Sequence, residues 1–216
     1  MRGGRRNLRF DLPGRLSSMG RAALATGDGR AAGLRRQHEC AANSVPTVTE
    51  VVDWAAAEEI GIFVEIKEAE RPDLAVDRVV ETIEARGATD RTIIIGFDHV
   101  VLKRAVERHP GIVTQAIIHA RHVDILGVLR ACGAGSVSIE LDMFHPDDAK
   151  ALHDAGFSIR VHLPRSEALA AYRQGGRYIV PAVVQWIAEG LIDTVSGDDV
   201  PFLARLVERA GMAGSR

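Results

Sequence analysis

The segment Gly61-Ile62-Phe63-Val64-Glu65-Ile66-Lys67-Glu68 has the composition of a buried β-strand that ends in charged residues. Because side chains alternate along a strand, Glu65 and Lys67 point to one face and Ile66 points to the other. Burying two charges is costly unless they are paired, hydrogen-bonded or bound to a metal ion. The segment therefore predicts a functional pair at the carboxyl end of a strand. The alternative is a strand that ends at Ile66 and leaves the charges in solvent.

The composition is that of an ordinary globular protein. The 216 residues suffice for one sizeable domain or a large part of an α/β barrel, with 46% hydrophobic and 26% charged residues. A net charge of −2 argues against a general nucleic-acid binder, and the longest apolar runs are too short to cross a bilayer. Cys40 and Cys132 match no metal or redox spacing. We expect a cytoplasmic protein that binds no nucleic acid and has no membrane span.

Residues 1–44 differ from the rest of the chain. They contain nine arginines against three acidic residues, with glycine and alanine filling much of the remainder. An organellar transit peptide and a nucleic-acid-binding arm are alternatives, although Phe10 is the only aromatic residue there. The composition favours disorder, or a segment that is not part of the fold.

Predicted strands and helices alternate from residue 45 onward. Thr47 and Glu50 form a capping-box pattern at the start of a helix over 47–59. The apolar, β-branched runs predict strands at 61–66, 92–96, 112–118, 136–140, 158–162 and 192–195. Helices are predicted at 73–86, 98–108, 122–132, 145–156, 166–174, 185–189 and 200–210.

This alternation predicts an α/β fold with a parallel sheet. No Gly-x-Gly-x-x-Gly motif follows the first strand, which favours part of a (βα) TIM-type barrel over a dinucleotide-binding fold. The predicted barrel domain covers 45–210, followed by a tail over 211–216. Active sites of such barrels lie at the carboxyl ends of the strands, which directs attention to Glu65, Lys67 and the residues that end the later strands.

Five segments, in order, resemble the glycerophosphodiester phosphodiesterase family: 45–54, 64–67, 94–98, 155–162 and 190–201. Val64-Glu65-Ile66-Lys67 is similar to that family's Glu-Ile-Lys strand. Ile94-Ile95-Gly96-Phe97-Asp98 resembles a strand ending in Ser-Phe, with Gly96 in place of the serine, and His162 stands where the family has a tryptophan.

The resemblance implies a metal-dependent barrel enzyme that cleaves glycerophosphodiesters into an alcohol and glycerol 3-phosphate. A divalent cation, Mg²⁺ or Ca²⁺, would be held by carboxylates, and two histidines would transfer protons. By this resemblance Glu65 is a catalytic residue and metal ligand. Lys67 contacts the phosphate, and Phe97 and His162 belong to the substrate-binding wall.

The family's opening His-Arg-Gly, Glu-x-Asp and His-Asp strands have no counterpart before Val45, where His38 is the only histidine. We therefore expect an incomplete barrel that lacks the first strands, as from a truncated reading of a longer gene. A single carboxylate does not hold a catalytic cation, so retention of the metal is in doubt and we expect little or no activity.

The alternative is a non-catalytic, barrel-derived module that binds a phosphorylated ligand or a partner protein. In either case the exposed sheet edges could support a homo-oligomer.

The remaining polar candidates receive simpler interpretations. Residues His99, His109, His145 and His153 lie in or beside predicted helices and are expected at the surface. His119 and His122 follow a strand and could face a pocket, but no third metal ligand has a supporting spacing. For Asp198-Asp199 before Pro201, capping of the last helix is favoured over substrate binding.

Overall fold

A computed structural model describes residues 45–67, 70–174 and 176–214. The predictions made for residues 1–44 lie outside these ranges. The strands are β1 (Ile62–Glu65), β2 (Thr92–Gly96), β3 (Val113–Ile118), β4 (Ser136–Glu140), β5 (Ser158–His162), β6 (Arg173–Gln174), β7 (Arg177–Tyr178) and β8 (Thr194–Ser196). Six of them form one parallel sheet in the order β1-β2-β3-β4-β5-β8, which curls into an open half-barrel. The strands β6 and β7 form a separate antiparallel ribbon.

The helices follow the strands along the chain. They are α1 (Val48–Ala57), α2 (Pro72–Ala85), α3 (His99–Arg108), α4 (Ile125–Cys132), α5 (Pro146–Asp154), α6 (Ser166–Ala171), α7 (Val180–Ala188) and α8 (Val200–Gly214). Short 3₁₀ turns at Thr89–Arg91 and Leu141–Met143 complete the connections. Across the described residues, no helix is long and apolar enough to cross a membrane.

The two faces of the sheet have different surroundings. Outward-facing residues such as Ile94, Val137 and Ile159 join the buried helix residues Leu102 and Leu152 in the main hydrophobic core. On the inner face, the side chains over β1, β2 and β3 form a small apolar cluster of Phe63, Ile93, Ile95, Val113 and Ile117. The inner face of β4 and β5 is polar instead, because Ser136 and Ser138 pair in register with Ser158 and Arg160. The inner face therefore changes from apolar to polar across the sheet.

The predicted α/β barrel fold, with its parallel strands, is confirmed. Strands β2, β4 and β5 have the predicted bounds. The ribbon β6–β7 was not predicted, because its strands have two residues each and therefore no readable periodicity.

Four helix boundaries differ from the prediction by three or more residues. Helix α6 ends at Ala171 rather than 174, because Arg173 and Gln174 belong to β6. Helix α7 begins at Val180 rather than 185, because Pro181 in its first turn suits a helix start. Helix α4 begins after Asp124, whose carboxylate accepts a hydrogen bond from the Gly127 amide at 2.7 Å. Helix α8 continues to Gly214, four residues beyond the predicted end.

The capping box at α1 can be tested by substitution. The Glu50 amide donates to Thr47 Oγ1 at 3.2 Å, and the Thr47 amide donates to the Glu50 carboxylate at 2.7 Å. We expect Thr47→Ala to lower the free energy of unfolding by about 1 kcal/mol, because the helix loses its side-chain cap. Urea denaturation followed by circular dichroism measures the change. The control is Thr49→Ala within the helix, and an equal loss in both variants would contradict the prediction.

Candidate functional site

A cleft of about 410 Å³ opens at the carboxyl ends of the parallel strands. All four residues assigned to the site from the sequence line it: Glu65, Lys67, Phe97 and His162. They come from β1, β5 and the loops after β1 and β2, and the sheet brings these together because parallel strands end at the same edge. The structure thus gathers the predicted residues at one place, and their individual roles remain predictions.

The pair Glu65 and Lys67 lies at the β1 side of the cleft. Lys67 Nζ is 3.2 Å from Glu65 Oε2, and the side chains are 74% and 25% exposed respectively. Glu65 Oε1 is buried and has no hydrogen-bond partner among the described residues. The sequence left open a functional pair or two solvated charges. In the structure the Lys67 ammonium is solvated, whereas Glu65 directs an oxygen without a hydrogen-bond partner inward.

Arg160 on β5 is a cleft residue that sequence reasoning missed. Its Nε donates to Ser138 Oγ at 3.2 Å, and its guanidinium carbon lies 4.6 Å from the centre of the Phe63 ring. Burial lowers the pKa of Arg160 to about 10, although the nearby carboxylates of Glu65 and Glu140 act in the opposite direction. The guanidinium therefore stays charged at neutral pH. The sequence does contain a sign of this position, because in Ile159-Arg160-Val161 a charged residue alternates with two apolar residues that face the helices.

The rim beside Glu140 consists of two stacked rings. The Phe97 and His119 rings lie 4.4 Å apart with an 8° angle between their planes, and His119 Nδ1 is 3.7 Å from Glu140 Oε1. Sequence reasoning left His119 open, and the structure places it at the cleft.

The loop that carries His119 is held by an ion pair on the outer side. Arg121 donates to both carboxylate oxygens of Asp148 in α5, at 2.9 and 3.2 Å. This contact lowers the pKa of Asp148. The exposed His122 lines a small pocket beside this pair rather than the cleft.

The far side of the cleft contains His162 and the residues after β8. His162 Nδ1 lies 3.2 Å from Ser196 Oγ, and Asp198 pairs with Arg165 at 3.3 Å. The capping prediction is confirmed for Asp199, which accepts from the Phe202 amide at 3.0 Å. Hydrogen bonds from Ser166 and from that amide lower the pKa of Asp199.

The histidines predicted at the surface, His99, His109, His145 and His153, are all half-buried in the structure. Only 16% of the His109 side chain is exposed, because it lies between Asp77 and Glu84 of α2. The His153 side chain is 26% exposed and its Nε2 lies 2.9 Å from Asp193 Oδ2. Asp193 also accepts from the Ile159 amide at 2.7 Å, so this contact ties α5 to β5 and the segment before β8.

The residues present do not fit a divalent cation. Within the part of the chain that the structure describes, no group of three or more His, Cys, Asp or Glu side chains could hold a metal ion. Glu65 and Glu140 lie on β1 and β4, three strand positions apart in the sheet. Each already has a basic side chain beside it, Lys67 for Glu65 and His119 for Glu140, which competes with a cation for the carboxylate.

Solved structures of glycerophosphodiester phosphodiesterases share this fold. An enzyme from Parabacteroides distasonis matches with a TM-score of 0.60 and 16% identity, over 78% of this chain and 65% of that one. A phosphodiesterase from Oleispira antarctica, solved with its product sn-glycerol 3-phosphate, matches with a TM-score of 0.60 and 15% identity, over 77% of this chain and 61% of that one. An enzyme from Agrobacterium tumefaciens matches with a TM-score of 0.53 and 18% identity, over 74% of this chain and 62% of that one.

These likenesses identify the class of fold as the phosphodiesterase-type α/β barrel, in the form of an open half-barrel. The chain spans less than two thirds of the length of each of these three enzymes. No protein-family model and no curated protein matches the sequence. The resemblance noted from the motifs is thus confirmed at the level of the fold.

The stacked rim gives a spectroscopic test of the site geometry. A ring 4.4 Å above His119 shields its ring protons, so we expect Phe97→Leu to move the His119 ring resonances downfield in ¹³C–¹H spectra. The resonances of His122, which lies outside the cleft, serve as the control. Unchanged His119 resonances in the folded variant would contradict the observed stacking.

Proposed function

We propose that this chain belongs to the glycerophosphodiester phosphodiesterase family and that its cleft binds a glycerophosphodiester. The observation that carries the proposal is the convergence of Glu65, Lys67, Phe97 and His162 in one cleft at the carboxyl ends of the strands. Glu65, Lys67 and Phe97 match the family's motifs in the sequence, and His162 stands where the family has a tryptophan. The shared fold and the position of the cleft support the same assignment.

Each of these side chains has a chemistry that suits such a ligand. The exposed ammonium of Lys67 serves as a point charge for the phosphate. The buried Oε1 of Glu65 is an acceptor without a donor, which costs about 1–3 kcal/mol unless a ligand hydroxyl satisfies it. The Phe97 ring, 48% exposed, forms an apolar wall. His162, hydrogen-bonded to Ser196, lies on the opposite side.

Binding without efficient hydrolysis follows from the donor set. In a complete family site Glu65 would be one of several metal ligands, and the described residues provide no group of three or more ligands that includes it. Hydrolysis through a bound cation needs several oxygen ligands to fix the metal and polarise the phosphoryl group. We therefore propose that this chain has little or no metal-dependent phosphodiesterase activity.

Enzyme assay and thermal melting test this proposal together. We expect the purified 216-residue chain to release no glycerol 3-phosphate from glycerophosphodiesters in millimolar Mg²⁺ or Ca²⁺. We also expect neither ion to raise the melting temperature, because an ion that does not bind the native state cannot stabilise it. A glycerophosphodiester should raise it. Robust metal-dependent release of glycerol 3-phosphate would contradict the proposed lack of hydrolysis, and the absence of any ligand effect would contradict the proposed binding.

The edge strands support a proposal about assembly. Among the described residues, β1 pairs only with β2 and β8 pairs only with β5, so each has one edge whose backbone groups lack a strand partner. Such edges pair readily with another chain. We propose that the protein forms homo-oligomers through these edges.

Sedimentation measures this association directly. We expect a mass above that of the 23.3 kDa monomer at micromolar concentrations. The amides of Ile66 and Asp193 donate to β2 and β5, so the alternate residues Phe63 and Thr194 direct their amides to the free edges. Phe63→Pro therefore removes a free-edge donor in β1, and Thr194→Pro does so in β8. A lower mass in either folded variant would identify the edge in use. A monomer for the unaltered chain would contradict the proposal.

A further inference from the structure

Arg160 has a partly buried positive charge without a carboxylate partner. It is half-buried at the floor of the cleft. Within residues 45–67, 70–174 and 176–214, no carboxylate oxygen lies within 4.0 Å of its nitrogens, and its one hydrogen bond is the contact from Nε to Ser138. A guanidinium has five N–H donors, so the contact with Ser138 leaves most of them available to a ligand in the cleft.

Several other arginines of the described residues pair with carboxylates. Those at 86, 104, 121 and 165 lie within 3.3 Å of the carboxylates at 53, 73, 148 and 198 respectively. These four are on the surface, where a partner is least needed, because water already solvates the charge. Arg160 is desolvated and still lacks a partner. A partly buried charge in this condition is expected to meet its counter-charge in a ligand.

The surroundings of Arg160 select the type of anion. A planar guanidinium presents its donors as a fork that matches two oxygens of a phosphate group. Glu65 and Glu140 lie near enough to affect its charge electrostatically but do not contact it. Because these carboxylates repel negative charge, a singly charged phosphodiester fits this position better than a phosphate monoester, which has close to two negative charges at pH 7.

We propose that Arg160 is the fixed cation of this cleft and binds the phosphate of a phosphodiester without a divalent metal ion. This rests on the proposed function, and it assigns to a protein side chain the charge that a metal ion would otherwise supply. Glu65 then acts as an acceptor for a ligand hydroxyl through its buried Oε1. The contact with Ser138 and the Phe63 ring hold the guanidinium in place.

Calorimetric titration of the full chain with glycerophosphoglycerol in the presence of EDTA tests the proposal. We expect the unaltered chain to bind the diester in EDTA, and to bind sn-glycerol 3-phosphate and inorganic phosphate more weakly at pH 8. Arg160→Met should weaken diester binding by at least about tenfold, because a charge-assisted hydrogen-bonding fork is lost. Arg160→Lys keeps the charge without the planar fork of donors, so we expect its affinity for the diester to lie between those of the unaltered chain and Arg160→Met. The matched control is Arg86→Met, whose guanidinium pairs with Asp53 away from the cleft.

The outcomes separate this inference from the proposed function. If the unaltered chain binds no diester under any condition, both are overturned. If it binds the diester but Arg160→Met and Arg160→Lys bind equally well, only the role of Arg160 is overturned. Binding that EDTA abolishes and Mg²⁺ restores would overturn the metal-free site while leaving the ligand class intact. Circular dichroism of each variant confirms that it is folded, and Arg160→Lys provides the comparison if the methionine variant is not.

Discussion

The alternation of side chains along six parallel strands is the constraint on which the rest of this structure depends. Outward positions such as Ile94 and Ile159 are apolar and pack against the helices, while inward positions such as Glu65 and Arg160 face the cleft. A shift of one residue in any strand would bury its charges under the helices and expose its core residues. The hydrophobic core therefore fixes the register, and the register fixes which polar groups meet.

The same constraint separates the charges that the described residues bring to the cleft. Glu65 and Glu140 come from strands that are not neighbours, and each has a basic side chain beside it: Lys67 beside Glu65, and the imidazole of His119 beside Glu140. Because basic and acidic side chains alternate around the cleft, their electrostatic potentials partly cancel. Individual hydrogen-bonding groups stay available to a ligand. This arrangement suits recognition of a polar ligand of low charge more than the stabilisation of a highly charged transition state.

Much of the fold could be predicted from the sequence because its strands are short, buried and separated by strong helix signals. Thr92–Gly96 is β-branched and fully buried, and its bounds were correct. The cleft residues Glu65 and Lys67 could be found because charges interrupt an apolar run, and the motif resemblance added Phe97 and His162.

The missed features depend on contacts between distant parts of the chain. The strand 158–162 shows the same interruption at Arg160, but a lone arginine is common on surfaces, and only the sheet shows that it faces inward. The stacking of His119 on Phe97 joins the loops after β3 and β2, which no local spacing encodes. The strands of the ribbon β6–β7 have two residues each, which is too short for an alternation of apolar and polar residues to be recognised.

The strand order has a consequence for how the chain reaches its native state. Each strand of the sheet pairs with the next one along the sequence, with only the small ribbon intervening before β8. Every βα unit can therefore dock on the unit made just before it, and no pairing has to wait for a distant segment. Such sequential topology lowers the entropic cost of closing loops and favours rapid, stepwise folding. It also means that the sheet can grow by one unit at either end without rearranging the units already in place.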